Sequence, residues 1–259
     1  MDYVKPKKYL GQHFLTDHNI AQKIVSNIDV FNTSNVVELG PGKGILTKYL
    51  LQKENINLRL VEIDRESVDW LNNHYPDIEN KIITADFLKL DFKDLFTSPF
   101  LLIGNFPYNI SSQIFFRVLE NKDQVPGVIC MIQKEVSERI STGPGSKVYG
   151  ILSVLLQTFY DVEYLFTVNE KVFDPPPKVK SAVIRLKRNT RESLGCDIQL
   201  YFRVVKTAFN QRRKMLRNSL KPLLRELPDD EKMLQRRPEQ LSVDDFIKLT
   251  VNIEKKTKN

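Results

Sequence analysis

Between residue 17 and about residue 134 two hydrophobic periodicities take turns along the chain. Asp17 is placed to cap a helix whose apolar stripe, Ile20, Ile24, Val25 and Ile28, recurs at the spacing of one helix face. A short β-branched run at 35–39 (NVVEL) ends in Gly40. Helical spacing returns over 44–52, strand character over 57–63 (NLRLVEI), and helix over 65–74. Residues 81–84, 99–104 and 126–132 read as further strands, with a helix over 111–119 before the last of them. Strands alternating with helices predict parallel βαβ units in an open, doubly wound α/β sheet.

The pattern changes further on. Residues 159–168 and 179–187 are strand-like, with no room between them for a crossover helix, which predicts an antiparallel hairpin at a sheet edge. Their connection holds Asp174-Pro175-Pro176-Pro177, too rigid for a strand interior. Residues 197–259 show only helical spacing, broken at Pro222, Pro228 and Pro238. The polar stretch 188–196 is the expected boundary, giving domains over 1–188 and 189–259, the second small and all-helical. Ser141–Gly150, with three glycines and a proline, reads as a loop, equally a substrate gate or a plain connection.

Charge sharpens this division. The net charge is +7, yet residues 1–187 hold 22 basic and 22 acidic side chains, whereas 188–259 hold 17 and 10. A neutral body with a basic end piece suggests a polyanionic partner, nucleic acid or an acidic membrane face. No apolar run reaches the ~18 residues of a membrane helix, and no apolar stretch follows the early lysines, as a secretory signal would require. Two lone cysteines, Cys130 and Cys196, and three scattered histidines make neither a disulfide framework nor a metal site. The expected compartment is the cytosol.

Candidate chemistry lies at the strand ends. Gly40-Pro41-Gly42-Lys43-Gly44 joins a strand to a helix, where glycines permit a sharp turn and close approach to a ligand. Ile45 stands where a dinucleotide fingerprint has its third glycine, and Lys43 lacks the context of a triphosphate loop. Glu62 ends the next strand, placed to accept both hydroxyls of a ribose. Asp86, after the third strand, is placed to accept from an adenine amino group, with Phe87 beside the ring. Either acid alone also reads as a helix cap. Together, without a diphosphate site, they describe S-adenosylmethionine better than a dinucleotide. Asn105-Phe106-Pro107-Tyr108 follows the fourth strand. The Asn105 side-chain oxygen and the Phe106 carbonyl are suited to take the two hydrogens of a planar exocyclic amine, and Tyr108 offers a stacking face. This is positioning and polarisation, without a strong base.

With these residues assembled, the chain resembles the ribosomal RNA adenine-N6 dimethyltransferases. The likeness rests on Gly11-Gln12-His13-Phe14-Leu15, the glycine loop, Asn105–Tyr108 with Asn109-Ile110-Ser111, Val172–Val179, Phe209–Lys214 and Arg237–Ser242, so it runs nearly end to end. It looks closest to the branch that dimethylates two adjacent adenosines in a hairpin loop near the 3′ end of 16S rRNA. The resemblance implies a Rossmann-like S-adenosylmethionine-dependent methyltransferase sheet with a small C-terminal helical domain. It implies cofactor contacts at His13, Leu15, Gly40, Glu62, Asp86 and Asn105. It adds Phe173 as a second aromatic that sandwiches the base against Tyr108. His13 replaces a more usual asparagine, and Lys180 stands where an acid is more usual. Arg212, Arg213, Lys214, Arg217 and Lys221 are the expected RNA contacts, with Arg213, Arg217 and Lys221 on one helix face by their spacing of four. The expected partner is 16S rRNA within an immature small ribosomal subunit, met by a monomer. The alternatives are a ribosome-assembly binding factor whose methylation is incidental, and a 23S rRNA adenine-N6 methyltransferase.

Overall fold

A computed structural model describes residues 4–223 and 232–258. The chain forms two compact units. One runs up to Ser137 and resumes over Val162–Arg188; the other comprises Glu138–Asp161 and the chain from Asn189 onward. The second unit therefore takes in a segment ahead of residue 189.

The first unit is built on strands β1 (Phe14–Leu15), β2 (Asn35–Leu39), β3 (Asn57–Glu62), β4 (Ile82–Thr84), β5 (Leu101–Asn105), β6 (Gly127–Gln133), β7 (Tyr160–Val168), β8 (Phe173–Asp174) and β9 (Ser181–Arg188). Its crossovers are helices α1 (His18–Val25), α2 (Ile45–Leu50), α3 (Arg65–His74) and α4 (Ser111–Glu120). Seven strands form one sheet in the order β4-β3-β2-β5-β6-β9-β7. Pairing is parallel from β4 through β6, and β9 joins β6 antiparallel. β7 and β9 are neighbours, as their spacing suggested, with β9 on the inner side. Parallel strands need both faces covered. Accordingly Leu101, Leu102 and Ile103 of β5 and Val128–Ile132 of β6 are buried without alternation. Asp17 caps α1 by accepting from the amides of Asn19 and Ile20, and Asp64 caps α3 through the Glu66 amide.

The chain enters the sheet at β2, lays β3 and β4 to one side, then crosses to β5 and β6 on the other. The order reverses between β2 and β5, and the crevice at the carboxyl ends of these strands is where such sheets bind ligands. Gly40, Glu62, Asp86 and Asn105 all lie at those ends.

The second unit takes in the end of α5 (Lys134–Ser141) and contains α6 (Ile151–Phe159), α7 (Ile198–Asn210), α8 (Leu216–Ser219) and α9 (Val243–Lys258). Helix α6 has no polar stripe: Leu152 to Leu156, Thr158 and Phe159 are all buried. Residues 142–150 are held by hydrogen bonds from the Gly145 amide to the Glu239 carbonyl (2.7 Å) and from Arg212 to the Ser146 carbonyl (3.2 Å). Pro222 and Pro238 fall in short 3₁₀ turns, at Lys221–Leu223 and Pro238–Gln240; Pro228 lies outside the described residues.

Candidate functional site

The glycine loop is shaped by its own backbone. Gly40, Gly42 and Gly44 have φ of 66°, 56° and 78°, and a Cβ on Gly42 would lie 2.8 Å from the Phe14 ring. Only glycine meets both demands. Glu62 is 4% exposed, and its carboxylate accepts from the amides of Gly42 (3.1 Å), Ile63 (2.9 Å) and Asp64 (2.9 Å). Three of its roughly four lone-pair directions are thereby occupied. The carboxylate is fixed, with one direction left for a ligand hydroxyl. Burial pushes its pKa up, against the pull of the amides. Asp86 keeps one carboxylate oxygen on the Leu88 amide (3.0 Å) and the other 3.9 Å from the exposed Lys89 ammonium. Ile63, apolar yet half-exposed, and Phe87 line the crevice beside the two acids.

On the β5 side, the Phe106 amide donates to the Met131 carbonyl (3.0 Å), and its ring is buried against Phe115. The Asn105 amide nitrogen donates to the His13 carbonyl (2.8 Å). A carbonyl only accepts, so the amide nitrogen must face it and the Asn105 oxygen must face elsewhere. The Tyr108 hydroxyl is hydrogen-bonded to the buried Ser181 hydroxyl at the start of β9. Burial raises the Tyr108 pKa, so the phenol stays neutral at physiological pH.

The N-terminal segment roofs this crevice. Lys7 and Gln12 both reach the buried Asp64 carboxylate. Asn109 donates to the Tyr9 carbonyl (3.3 Å), and β1 pairs with β8 antiparallel. The result is a cavity of about 250 Å³ whose walls include His13, Leu15, Gly40, Glu62, Asp86, Asn105, Phe106 and Tyr108. No group of acids, histidines or cysteines among the described residues is arranged to hold a metal ion.

Residues 4–255 match the family model described as ribosomal RNA adenine dimethylase. The chain belongs to that family. A relative named ribosomal RNA small subunit methyltransferase A, from Parabacteroides distasonis, is 60% identical over 253 residues, covering 97% of this chain and 95% of the relative. Another of that name, from Flavobacterium johnsoniae, is 56% identical over 256 residues, 98% of each chain. Among solved structures, a dimethyladenosine transferase from Plasmodium falciparum superimposes with a TM-score of 0.79 at 23% identity, over 95% of this chain and 98% of that one. The 23S rRNA methyltransferase ErmE gives 0.67 at 24% identity, over 92% and 99%. These two likenesses bear on the fold, a Rossmann-like α/β sheet.

Two expectations, one implied by the resemblance and one read from residue spacing, have a different geometry. Phe173 is 4% exposed in β8, paired with Leu15 within the apolar core, and does not line the cavity. Arg213, Arg217 and Lys221 do not share a continuous helix face. Helix α7 stops at Asn210, the chain turns through Gln211–Lys214, Met215 is extended, and α8 holds only Leu216–Ser219. The break is local: Gln211 leaves helical geometry at φ −121°, ψ 50°, the Lys214 amide closes a turn onto the Gln211 carbonyl (2.8 Å), and Leu216, Ser219 and Leu220 are buried beyond it. Arg213, Lys214, Arg217 and Lys221 are exposed, while Arg212 is half-buried against Ser146 and Glu239 (3.9 Å). Sequence reasoning missed the Lys7–Asp64–Gln12 clasp and Ser181. Nothing local in the sequence links Asp64 to residues more than fifty positions away.

Proposed function

We propose that this chain transfers methyl groups from S-adenosylmethionine to adenine N6, converting two adjacent adenosines in the hairpin loop near the 3′ end of 16S rRNA to N6-dimethyladenosine. Its place of action on this reading is the cytoplasm, on the immature small subunit. Membership in the ribosomal RNA adenine dimethylase family supports the reading. The observation that carries it is the Asn105 amide: its nitrogen is spent on the His13 carbonyl, and its oxygen is left as an acceptor within a cavity that also holds Glu62, Asp86 and Tyr108.

The residues fit the cofactor. Glu62 has a carboxylate direction left for a ribose hydroxyl, Asp86 a carboxylate for an adenine amino group, and Ile63 and Phe87 apolar surface for a ring. The bound cofactor supplies an electrophilic sulfonium methyl group. The protein's work is on the acceptor. Tyr108 stacks the target base. Asn105 accepts from the exocyclic amine and draws its lone pair out of conjugation with the ring. The nitrogen becomes acidic as it gains the methyl group, so its proton passes to water without a strong base. After one transfer the amine still carries a hydrogen, and the same geometry serves the second.

Immature small subunits incubated with labelled cofactor, digested and analysed by nucleoside, should yield N6-dimethyladenosine. Folded protein that yields none overturns the reading. Asn105→Ala should abolish transfer while retaining part of the cofactor affinity; unchanged turnover removes the role given to Asn105.

Arg213, Lys214, Arg217 and Lys221 are the phosphate contacts on this reading, supported by their exposure and by the concentration of net positive charge in residues 188–259.

A further inference from the structure

The outer part of the N-terminal roof is a tight turn that carries an aromatic ring into water. Tyr9 is 74% exposed, although it stands on the wall of the cavity with Tyr108 and Asn109. A single exposed ring is ordinary on a protein surface, but the backbone beneath this one is held at several points. The Gly11 amide closes the turn on the Lys8 carbonyl (3.0 Å), and Gly11 has φ of 66°. A Cβ on Gly11 would lie 2.7 Å from the Asn109 side-chain oxygen, so the turn lies close against the residue that follows Tyr108. The Asn109 side-chain amide donates to the Tyr9 carbonyl (3.3 Å). Ahead of the turn Val4 is buried, and on either side of Tyr9 the side chains of Lys7 and Gln12 are fastened to Asp64. The ring is thus exposed on a braced frame, at the rim of the chamber and on its acceptor side.

The neighbouring lysines divide into two kinds. Lys7 is spent on Asp64 and Glu66 (3.1 Å). Lys5 and Lys8 are exposed. An aromatic face on a fixed backbone, flanked by ammonium groups, has the parts of a surface for single-stranded nucleic acid: a ring on which a base stacks, and cations for the phosphates beside it. We propose that Tyr9 is the platform for the nucleotide next to the target adenosine, with Lys5 and Lys8 beside the phosphates of that same RNA strand. This rests on the reading of the cavity as the site of adenosine methylation, and adds a contact outside it. It leaves the cofactor contacts expected of His13 and Leu15 as they stand. A base that leaves its stack to enter the chamber also strands its neighbour. Tyr108 receives the first base, and Tyr9 restores part of the stacking that the second has lost. Where the two target adenosines are adjacent, Tyr9 holds one while the other reacts. Every base has a π face, so the contact positions the strand without selecting its sequence.

The test separates cofactor from RNA and stacking from simple apolar contact. For Tyr9→Ala, the KM for immature small subunits should rise about tenfold, while the cofactor dissociation constant by calorimetry stays within about twofold of the original. Tyr9→Trp keeps an aromatic face and should retain the original KM, whereas Tyr9→Leu keeps apolar bulk without that face and should resemble alanine. A hairpin carrying 2-aminopurine in place of the second target adenosine should show stacking-quenched fluorescence with the original protein and with Tyr9→Trp, and less quenching with Tyr9→Ala. Replacing Lys5 and Lys8 together by alanine should reduce the slope of log affinity against log salt by about 1.4. Cofactor affinity that collapses while the KM holds overturns the proposal, as does rescue by leucine equal to that by tryptophan. Original protein that forms no N6-dimethyladenosine sinks the functional reading and this proposal with it. Active original protein with indistinguishable Tyr9 variants overturns only the role of Tyr9.

Discussion

Two carboxylates at neighbouring strand ends respond to burial in different ways. Asp64 is pushed up by desolvation, but hydrogen bonds from Gln12, Lys7 and Ser67 more than offset it and hold its pKa below the usual carboxylate range. Glu38 is held by Thr47, through its hydroxyl (2.7 Å) and its amide, but desolvation outweighs both and, with the Glu62 charge nearby, lifts its pKa to about 8. A carboxyl whose folded pKa lies above its unfolded one stabilises fully below the unfolded value, near 4.5. That stability drains as pH rises through the folded value. Glu38→Gln keeps an acceptor for Thr47 and cannot ionise. In cofactor-free protein, the stability advantage of the variant in urea melts should therefore grow between pH 5 and pH 9. A constant difference across that range means that Glu38 is not held neutral. The glycine loop and the strand-end acids were legible because each follows a short apolar run that ends where its chemistry begins. The partners of Asp64 and Tyr108 were not. Lys7 and Ser181 carry no pattern of their own, and only the completed fold brings them to their targets.

Among the elements, several with two-tone periodicity were read from the chain, though α5 was not. α1, α3 and α4 each bury one stripe and expose the other, and β2 and β5 sit within a residue or two of where their apolar runs lie. Helix α6 escaped because burial on nearly every side erases the contrast that periodicity needs. Around α8 the opposite happened: basic residues spaced by four imitated one continuous helix face, but the backbone leaves helical geometry at Gln211 and turns before α8 begins. Helix α7 depends on its cap, with Asp197 accepting from the Leu200 amide at 2.7 Å. Asp197→Ala should lower stability by about 1 kcal/mol in urea melts, with the loss confined to a lower midpoint. No measurable change would mean that α7 needs only its packing against α6 and α9.

For the molecule as a whole, the uneven charge becomes a matter of exposure. Arg213, Lys214, Arg217 and Lys221 face water, whereas Arg212 straps Ser146 and Arg236 is paired with Asp245. Replacing Arg213, Arg217 and Lys221 together by alanine should weaken binding to the small subunit. It should also reduce the slope of log affinity against log salt by about 2, with cofactor affinity unchanged. An unaltered slope would place the phosphate contacts elsewhere. Arg212→Ala should show its effect in thermal stability before it shows any in that slope.

The short pairing of β1 with β8 sets an order of events in the life of the chain. Thr16 and Val172, which bond beside it, are 156 residues apart, and closing so long a loop is repaid only when the rest of the sheet already holds its ends together. A chain emerging from the ribosome has its glycine loop, its acids and Asn105 in hand well before Val172 is made. Until then the segment around His13 has nothing on that side to lie against. The β1–β8 edge of the roof thus closes late, and the base-facing wall becomes complete only after the parallel core that supports it.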